Sequence, residues 1–224
     1  MHALSVENLT FRYAASGWEL EVPALTLAKG EQLLMVSPSG AGKSTLLNVV
    51  AGLLDPTSGS VRVADQNFHA LRGAARDAFR GRHVGMIFQT FNLLQGFTAA
   101  ENVMAALLFA GVPEREHRAK AQAVLQRLGI TRIDAPVEDM SVGQQQRVAV
   151  ARAMVCDPVL VLADEPTASL DPTNARAAMD LIQEVCREKH AALLCVSHDP
   201  AMASRFERRE SLTTEHTENT ERTQ

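Results

Sequence analysis

Leu4, Val6, Leu9, Phe11 and Tyr13 fall near every second position, and Trp18, Leu20, Val22, Leu25 and Leu27 repeat the pattern across Pro23. A period of two places such residues on one face of a strand, so the pattern predicts two strands of an antiparallel N-terminal sheet. Residues 32–36 form a short apolar run that reads as a buried strand, and residues 42–54 read as a helix. Asp55-Pro56-Thr57-Ser58-Gly59 has the composition of a turn and leads into a strand at 60–64, with another core strand at 85–89. From Thr98 the period becomes helical, predicting helices at 98–110, 114–128 and 141–156, joined by Gly111-Val112-Pro113 and by the 129–140 stretch. A strand at 159–163, a helix at 172–189 and a strand at 191–196 return the chain to β/α alternation. The predicted class is therefore α/β, with a mainly parallel sheet and a helical lobe, about residues 91–157, inserted between its strands.

The apolar strand at 32–36 and the helix after it enclose Ser37-Pro38-Ser39-Gly40-Ala41-Gly42-Lys43-Ser44-Thr45. Strand, glycine-rich loop and helix in this order wrap a phosphate chain in backbone amides, because Gly40 and Gly42 let the main chain curl more tightly than a Cβ permits. Lys43 supplies a point charge for the β/γ-phosphates, the Ser44 hydroxyl is a Mg²⁺ ligand, Thr45 adds a second hydroxyl, and the helix aims its positive end at the anion. The phosphate-loop pattern has Gly where Ser37 stands; a negative φ at Ser37 is the expected condition for tolerance.

Two further segments carry chemistry. Ser141-Val142-Gly143-Gln144 precedes a helical stretch, and Ser-x-x-Gln forms a capping box. The same hydroxyl and free amides could equally make a second phosphate site, serving a nucleotide held by another copy. The strand Val159-Leu160-Val161-Leu162-Ala163 ends in Asp164-Glu165, and carboxylates at the carboxyl edge of a parallel sheet sit where such folds bind ligands. Asp164 would hold Mg²⁺ and Glu165 would take the proton from an attacking water.

Composition narrows the field. A chain of 224 residues suits one sizeable domain, here 1–209, followed by a Thr/Glu-rich polar tail at 210–224 that is expected to be disordered. The formal charge of −4 argues against nonspecific nucleic-acid binding as the main task. Cys156, Cys186 and Cys195 lie in apolar segments without metal-ligand spacing and read as core residues of a reducing compartment. No apolar run reaches the roughly 18 residues of a membrane span, and no basic-then-apolar leader opens the chain. The expectation is a cytoplasmic protein, or one peripheral to a membrane. His2, His69, His83, His117, His190 and His216 read as surface or incidental, and Arg72, Arg76, Arg80 and Arg82 as a solvated helix face.

Phosphate loop, capped Ser-led helix and Asp-Glu strand in this order resemble the nucleotide-binding domain of ATP-binding cassette (ABC) transporters over roughly residues 3–208. The resemblance implies a P-loop NTPase (RecA-like) core. Residues 37–45 resemble the Walker A loop, residues 140–147 the family signature, and residues 159–165 Walker B. Gln89 resembles the Q-loop glutamine, which touches Mg²⁺ and the attacking water; Ala168-Ser169-Leu170-Asp171 resembles the D-loop of the dimer interface. His198 resembles the switch histidine at the γ-phosphate, and Tyr13 the aromatic that stacks on adenine. The resemblance implies an ATP-hydrolysing subunit using ATP and Mg²⁺, with Glu165, His198 and Gln89 catalytic. The nucleotide contacts it implies are Tyr13, residues 37–45, Ser141, Gly143, Gln144 and Asp171, with Ser44, Gln89 and Asp164 on the metal.

It further implies an ATP-bound homodimer and integral membrane permease subunits as partners, at the cytoplasmic face of the bacterial inner membrane, without nucleic acid and without insertion into the bilayer. Val142 stands where the signature has its first Gly, with slower or equal turnover as the expected consequence. The family usually closes with a strand hairpin after about residue 208, so the polar tail leaves the last strands missing or malformed in expectation. Ile87-Phe88-Gln89-Thr90-Phe91-Asn92-Leu93-Leu94, Thr98-Ala99-Ala100-Glu101-Asn102-Val103 and Ala110-Gly111-Val112-Pro113 resemble the subgroup that powers lipoprotein release and macrolide-type export. A regulatory cassette of the cell-division type and a soluble non-transport ABC ATPase remain as alternatives.

Overall fold

The computed structural model describes residues 2–13, 18–38 and 40–212. Its N-terminal sheet joins β1 (His2–Arg12), β2 (Glu19–Ala28) and β4 (Ser58–Val63) in the order β2-β1-β4, antiparallel throughout. The second sheet has the order β5-β6-β7-β3-β8, from β3 (Gln32–Val36), β5 (Val84–Ile87), β6 (Leu160–Asp164), β7 (Ala192–Ser197) and β8 (Arg208–Ser211). Every pairing in it is parallel. A parallel sheet covered on both faces needs apolar residues at consecutive positions, each going to alternate sides. In β6, Leu160 and Leu162 pack toward the N-terminal sheet, while Val161 and Ala163 pack toward the helical lobe.

Six helices complete the described residues: α1 (Lys43–Val50), α2 (Gly73–His83), α3 (Ala99–Phe109), α4 (Glu114–Arg127), α5 (Val142–Met154) and α6 (Pro172–Lys189). Helix α1 lies against the N-terminal sheet side through Leu46, Leu47, Val49 and Val50, whereas α3, α4 and α5 share one core with the opposite face of the parallel sheet. Thr98 opens α3 with a capping box to Glu101.

The structure corrects several expectations. Helix α1 stops at Val50 and not near residue 54, because Gly52 turns at φ +68° with its Cα against the Phe68 ring. Helix α2 has no buried residue, as the solvated face expected of its arginines requires, but two of them also tether it: Arg76 donates to Asp55 (2.7 Å) and to the Leu71 carbonyl (3.0 Å), and Arg82 to the Ala110 carbonyl (2.7 Å). His69 and His117 are buried and not incidental, with Nε2 on the carbonyls of Val49 (2.9 Å) and Val112 (2.8 Å).

The largest correction is at the C-terminal end. Residues 208–211 pair with β3 from Leu33–Arg208 to Val36–Ser211, and Leu212 is buried, so the ordered fold passes the expected boundary at 209. A parallel edge strand draws on backbone bonds, and Arg208 adds ion pairs to Glu31 (2.7 Å) and Glu210, so a polar sequence suffices. The rest of the predicted tail, 213–224, lies outside the described residues. The three cysteines are free; burial pushes the Cys156 thiol up to about 11 and Cys186 up to about 12, which leaves them inert as nucleophiles.

Candidate nucleotide site

The loop between β3 and α1 opens a cleft of about 580 Å³ at the carboxyl edge of the parallel sheet. Gly42 is the N-cap of α1 at φ +84°, and Gly40 has the same φ, a region closed to most side chains. A Cβ on Gly42 would also lie 2.6 Å from the Trp18 ring. Ser37 is not among the residues with positive φ, so this position makes no demand for glycine. Ser39, assigned to the loop from sequence, lies outside the described residues.

Lys43 is buried, and its Nζ donates to the carbonyls of Ser37 (2.7 Å) and Pro38 (2.9 Å), 3.7 Å from Glu165 Oε1. The ammonium is thus held at the mouth of the loop by groups weaker than a phosphate. Ala41 closes the turn by donating to the Pro38 carbonyl (3.3 Å). Ser44 stands near the carboxyl of Asp164, whose pKa is raised, chiefly by burial and further by Glu165, against the opposing effects of Ser44 and Lys43. Thr45 Oγ1 lies 3.2 Å from the Tyr13 hydroxyl.

Glu165 follows β6 at φ +44°, its amide donating to the Val196 carbonyl at 3.0 Å. That turn brings its carboxylate to the end of β7. Oε2 accepts from the Ser197 hydroxyl (3.0 Å); Oε1 accepts from the His198 amide (3.0 Å) and faces His198 Nδ1 at 2.7 Å. An ionised carboxylate only accepts, so the bond assigns a proton to Nδ1. Lys43, Glu165 and His198 therefore meet in one cluster, with Ser44 and Asp164 beside it.

Tyr13 and Trp18 wall the other end, their centroids 5.9 Å apart at an interplanar angle of 33°, and Phe11 meets Tyr13 edge-on at 4.8 Å. Trp18 lines the cleft, although its place in the strand pattern suggested only packing. The available signal was an aromatic a few residues beyond Tyr13 in the strand that faces the loop. Gln89, just past β5, lines the same cleft and also a second cavity of about 650 Å³ bounded by Glu165 and His198.

The remaining predicted residues stand elsewhere. Ser141 is the N-cap of α5, its hydroxyl accepting from the Gln144 amide (3.3 Å) while Gln144 Oε1 accepts from the Ser141 amide (3.0 Å). Ser141, Val142 and Gln144 are exposed, Gly143 has open space beside its Cα, and none of the four lines the cleft of this chain. Asp171 caps α6 by accepting from the amides of Thr173 (3.0 Å) and Asn174 (3.2 Å); it too lies outside the cleft lining.

The family model described as ABC transporter matches residues 20–168. A lipoprotein-releasing system ATP-binding protein, LolD, of Chromohalobacter salexigens is 40% identical over 209 residues, covering 92% of this chain and 88% of the relative. The phosphonates import ATP-binding protein PhnC 1 of Rhodopseudomonas palustris is 40% identical over 213 residues, covering 91% and 75%. Among solved structures, the dimeric post-hydrolysis state of the ATP-binding cassette MJ0796, bound to ADP and Pi, superposes with a TM-score of 0.79 at 31% identity, covering 94% of each chain. The chain belongs to the ABC transporter family, as an ATP-binding subunit with the fold and activity of a P-loop ATPase.

Proposed function

We propose that this chain hydrolyses ATP·Mg²⁺ between two copies of itself, each lending the Ser141 end of α5 to the other's cleft, and that the cycle drives separate integral membrane subunits. The observation that carries the reading is the cluster at the loop: Lys43 Nζ 3.7 Å from Glu165 Oε1, with His198 Nδ1 2.7 Å from the same oxygen. Lys43 exchanges its carbonyl partners for the β/γ-phosphates, Glu165 takes the proton of the attacking water, and His198 supports the γ-phosphoryl oxygens. Tyr13 stacks on adenine, and Gln89 stands between the cleft and the cavity behind it. Ser141, Gly143 and Gln144 present the partner's helix end, with Asp171 near the joint between the copies.

Ser44 and Asp164, with Gln89, are the residues suited to Mg²⁺. Between them they offer hydroxyl, carboxylate and amide oxygens, the hard ligands that Mg²⁺ takes. Among the described residues no group of three or more His, Cys, Asp or Glu could cage a metal, which fits an ion completed by phosphate and water. When bound, the ion neutralises charge that develops on the phosphoryl oxygens. No described helix is long and apolar enough to cross a membrane. In this reading the membrane step belongs to partner subunits, met at the cytoplasmic face.

Lipoprotein release or macrolide-type export is the favoured system, resting on the LolD relatives and on the 87–94, 98–103 and 110–113 segments. The test is Glu165→Gln: hydrolysis falls on the order of a hundredfold or more while ATP binding survives and an ATP-bound dimer accumulates in light scattering. Lys43→Ala loses ATP binding. Wild-type turnover in Glu165→Gln removes Glu165 from the proton-accepting role.

A further inference from the structure

The parallel pairing of β3 with β8 runs from Leu33–Arg208 to Val36–Ser211, and its next rung is half built. The Leu212 amide donates to the Val36 carbonyl at 3.4 Å. In a parallel ladder the return bond to the Leu212 carbonyl comes from the amide two residues beyond Val36, at position 38. Position 38 is proline, which has no N–H. Leu212 is buried, and a buried carbonyl left without a donor is costly. The Ser37 hydroxyl fills the gap, donating to the Leu212 carbonyl at 2.9 Å from a residue that is itself buried.

The same dipeptide holds the lysine, since Lys43 Nζ donates to the carbonyls of Ser37 and Pro38. Through its side chain Ser37 grips the C-terminal strand; through its carbonyl it orients the residue that meets the phosphates. A glycine at this position, as the phosphate-loop pattern has it, would leave the Leu212 carbonyl without this donor. We propose that Ser37 is a positioning residue whose hydroxyl stands in for the amide that Pro38 lacks, bracing the phosphate loop against the end of β8 and thereby setting the cleft's affinity for ATP. The inference rests on the reading of the cleft as the ATP site, and it makes the C-terminal strand part of that site's support.

The test uses full-length Ser37→Ala, Ser37→Thr and the double variant Ser37→Ala/Pro38→Ala, with two readouts. Hydrogen exchange without nucleotide reads the brace directly. In Ser37→Ala the amides of residues 210–212 exchange faster, and the KM for ATP rises by roughly threefold to tenfold, the range one net hydrogen bond can transmit, while kcat holds. Ser37→Thr keeps the hydroxyl and both wild-type values. In the double variant the new amide at position 38 donates to the Leu212 carbonyl and restores both.

Unchanged exchange in Ser37→Ala, or a double variant as loose as the single one, overturns the brace. Loosened exchange with an unchanged KM overturns its link to ATP affinity. A failure of the ATP reading appears differently, as a wild-type protein that does not bind ATP while the exchange pattern stands. Should Ser37→Ala not fold, recovery of a folded ATPase on adding Pro38→Ala supports the brace, and the lack of recovery overturns it.

Discussion

Asn102 in α3 is fully buried and serves the segment that links β5 to that helix. Its Oδ1 accepts from the Leu94 amide at 2.7 Å, and its Nδ2 donates to the carbonyls of Leu94 (3.1 Å) and Thr98 (3.0 Å). Replacing it by leucine keeps the branched shape with bulkier methyl groups and removes these three bonds and a longer one to the Phe97 carbonyl (3.5 Å), which retains the Val137 amide (3.2 Å). Thr98 does not lose its last partner, because the Asn102 amide also donates to the Thr98 carbonyl at 3.0 Å. The orphans are therefore the amide and the carbonyl of Leu94. At about 1–3 kcal/mol for each unsatisfied group, and with Leu94 only partly shielded, the expected loss is about 2–4 kcal/mol. That is a large share of a domain's usual stability of about 5–15 kcal/mol. Asn102→Asp costs more, since it turns a carboxylate toward carbonyls that need a donor. Urea unfolding of the nucleotide-free protein measures both. Arg152 still donates to the carbonyls of Phe91 (2.6 Å) and Asn92 (2.5 Å), so the loss is read in the unfolding midpoint before it is read in turnover. A leucine variant within about 0.5 kcal/mol of wild type would refute the reasoning, because it would mean that Leu94 finds other partners.

Asp164 gives a pH prediction. Its pKa is raised in the fold, mainly by burial, so folding favours its protonated form: that stability is complete below the unfolded value near 3.8 and is lost as pH climbs through the folded value. Asp164→Asn should therefore raise the melting temperature of the nucleotide-free protein at neutral pH, by a margin that shrinks as pH falls toward 3.8; an equal margin at all pH values would contradict the sign. Val142 predicts a separation of readouts. Its side chain is 51% exposed at the first position of α5, with no positive φ, so Val142→Gly should not stabilise the isolated chain but should alter the ATP-dependent dimer affinity; a change in melting temperature with no change in dimerisation would be the opposite result.

The elements most legible in the sequence were those whose burial leaves a periodic trace. Strand β6 is apolar at consecutive positions because it has a core on each face, and α3 begins where Thr98 and Glu101 stand three residues apart. Helix α2 leaves no such trace. None of its residues is buried, and it is held by arginine bonds to carbonyls and to Asp55, with Phe79 stacked on Phe68 at 5.4 Å. Strand β8 is illegible for a related reason. Arg208-Arg209-Glu210-Ser211 advertises solvent, yet an edge strand draws its pairing from the backbone, which the side-chain pattern does not report. His69 and His117 escaped notice because the partners of Nε2 are main-chain carbonyls five or twenty residues away.

The site was legible in proportion to how far its chemistry restricts residue type. Only glycine suits φ +84° beside the Trp18 ring at position 42, and only a carboxylate accepts at once from Ser197 and from the His198 amide, so Gly42 and Glu165 announce themselves. Ser37 works the other way. Read as a motif position it is a departure; read as the neighbour of a proline at the end of a parallel strand, its hydroxyl is the nearest replacement for a missing ladder donor. The two readings differ because a motif scores each residue by its contact with the ligand, whereas the fold also requires the loop to end a strand. A residue that looks wrong for the phosphate can thus be right for the sheet, and the substitution pair Ser37 and Pro38 separates the two demands.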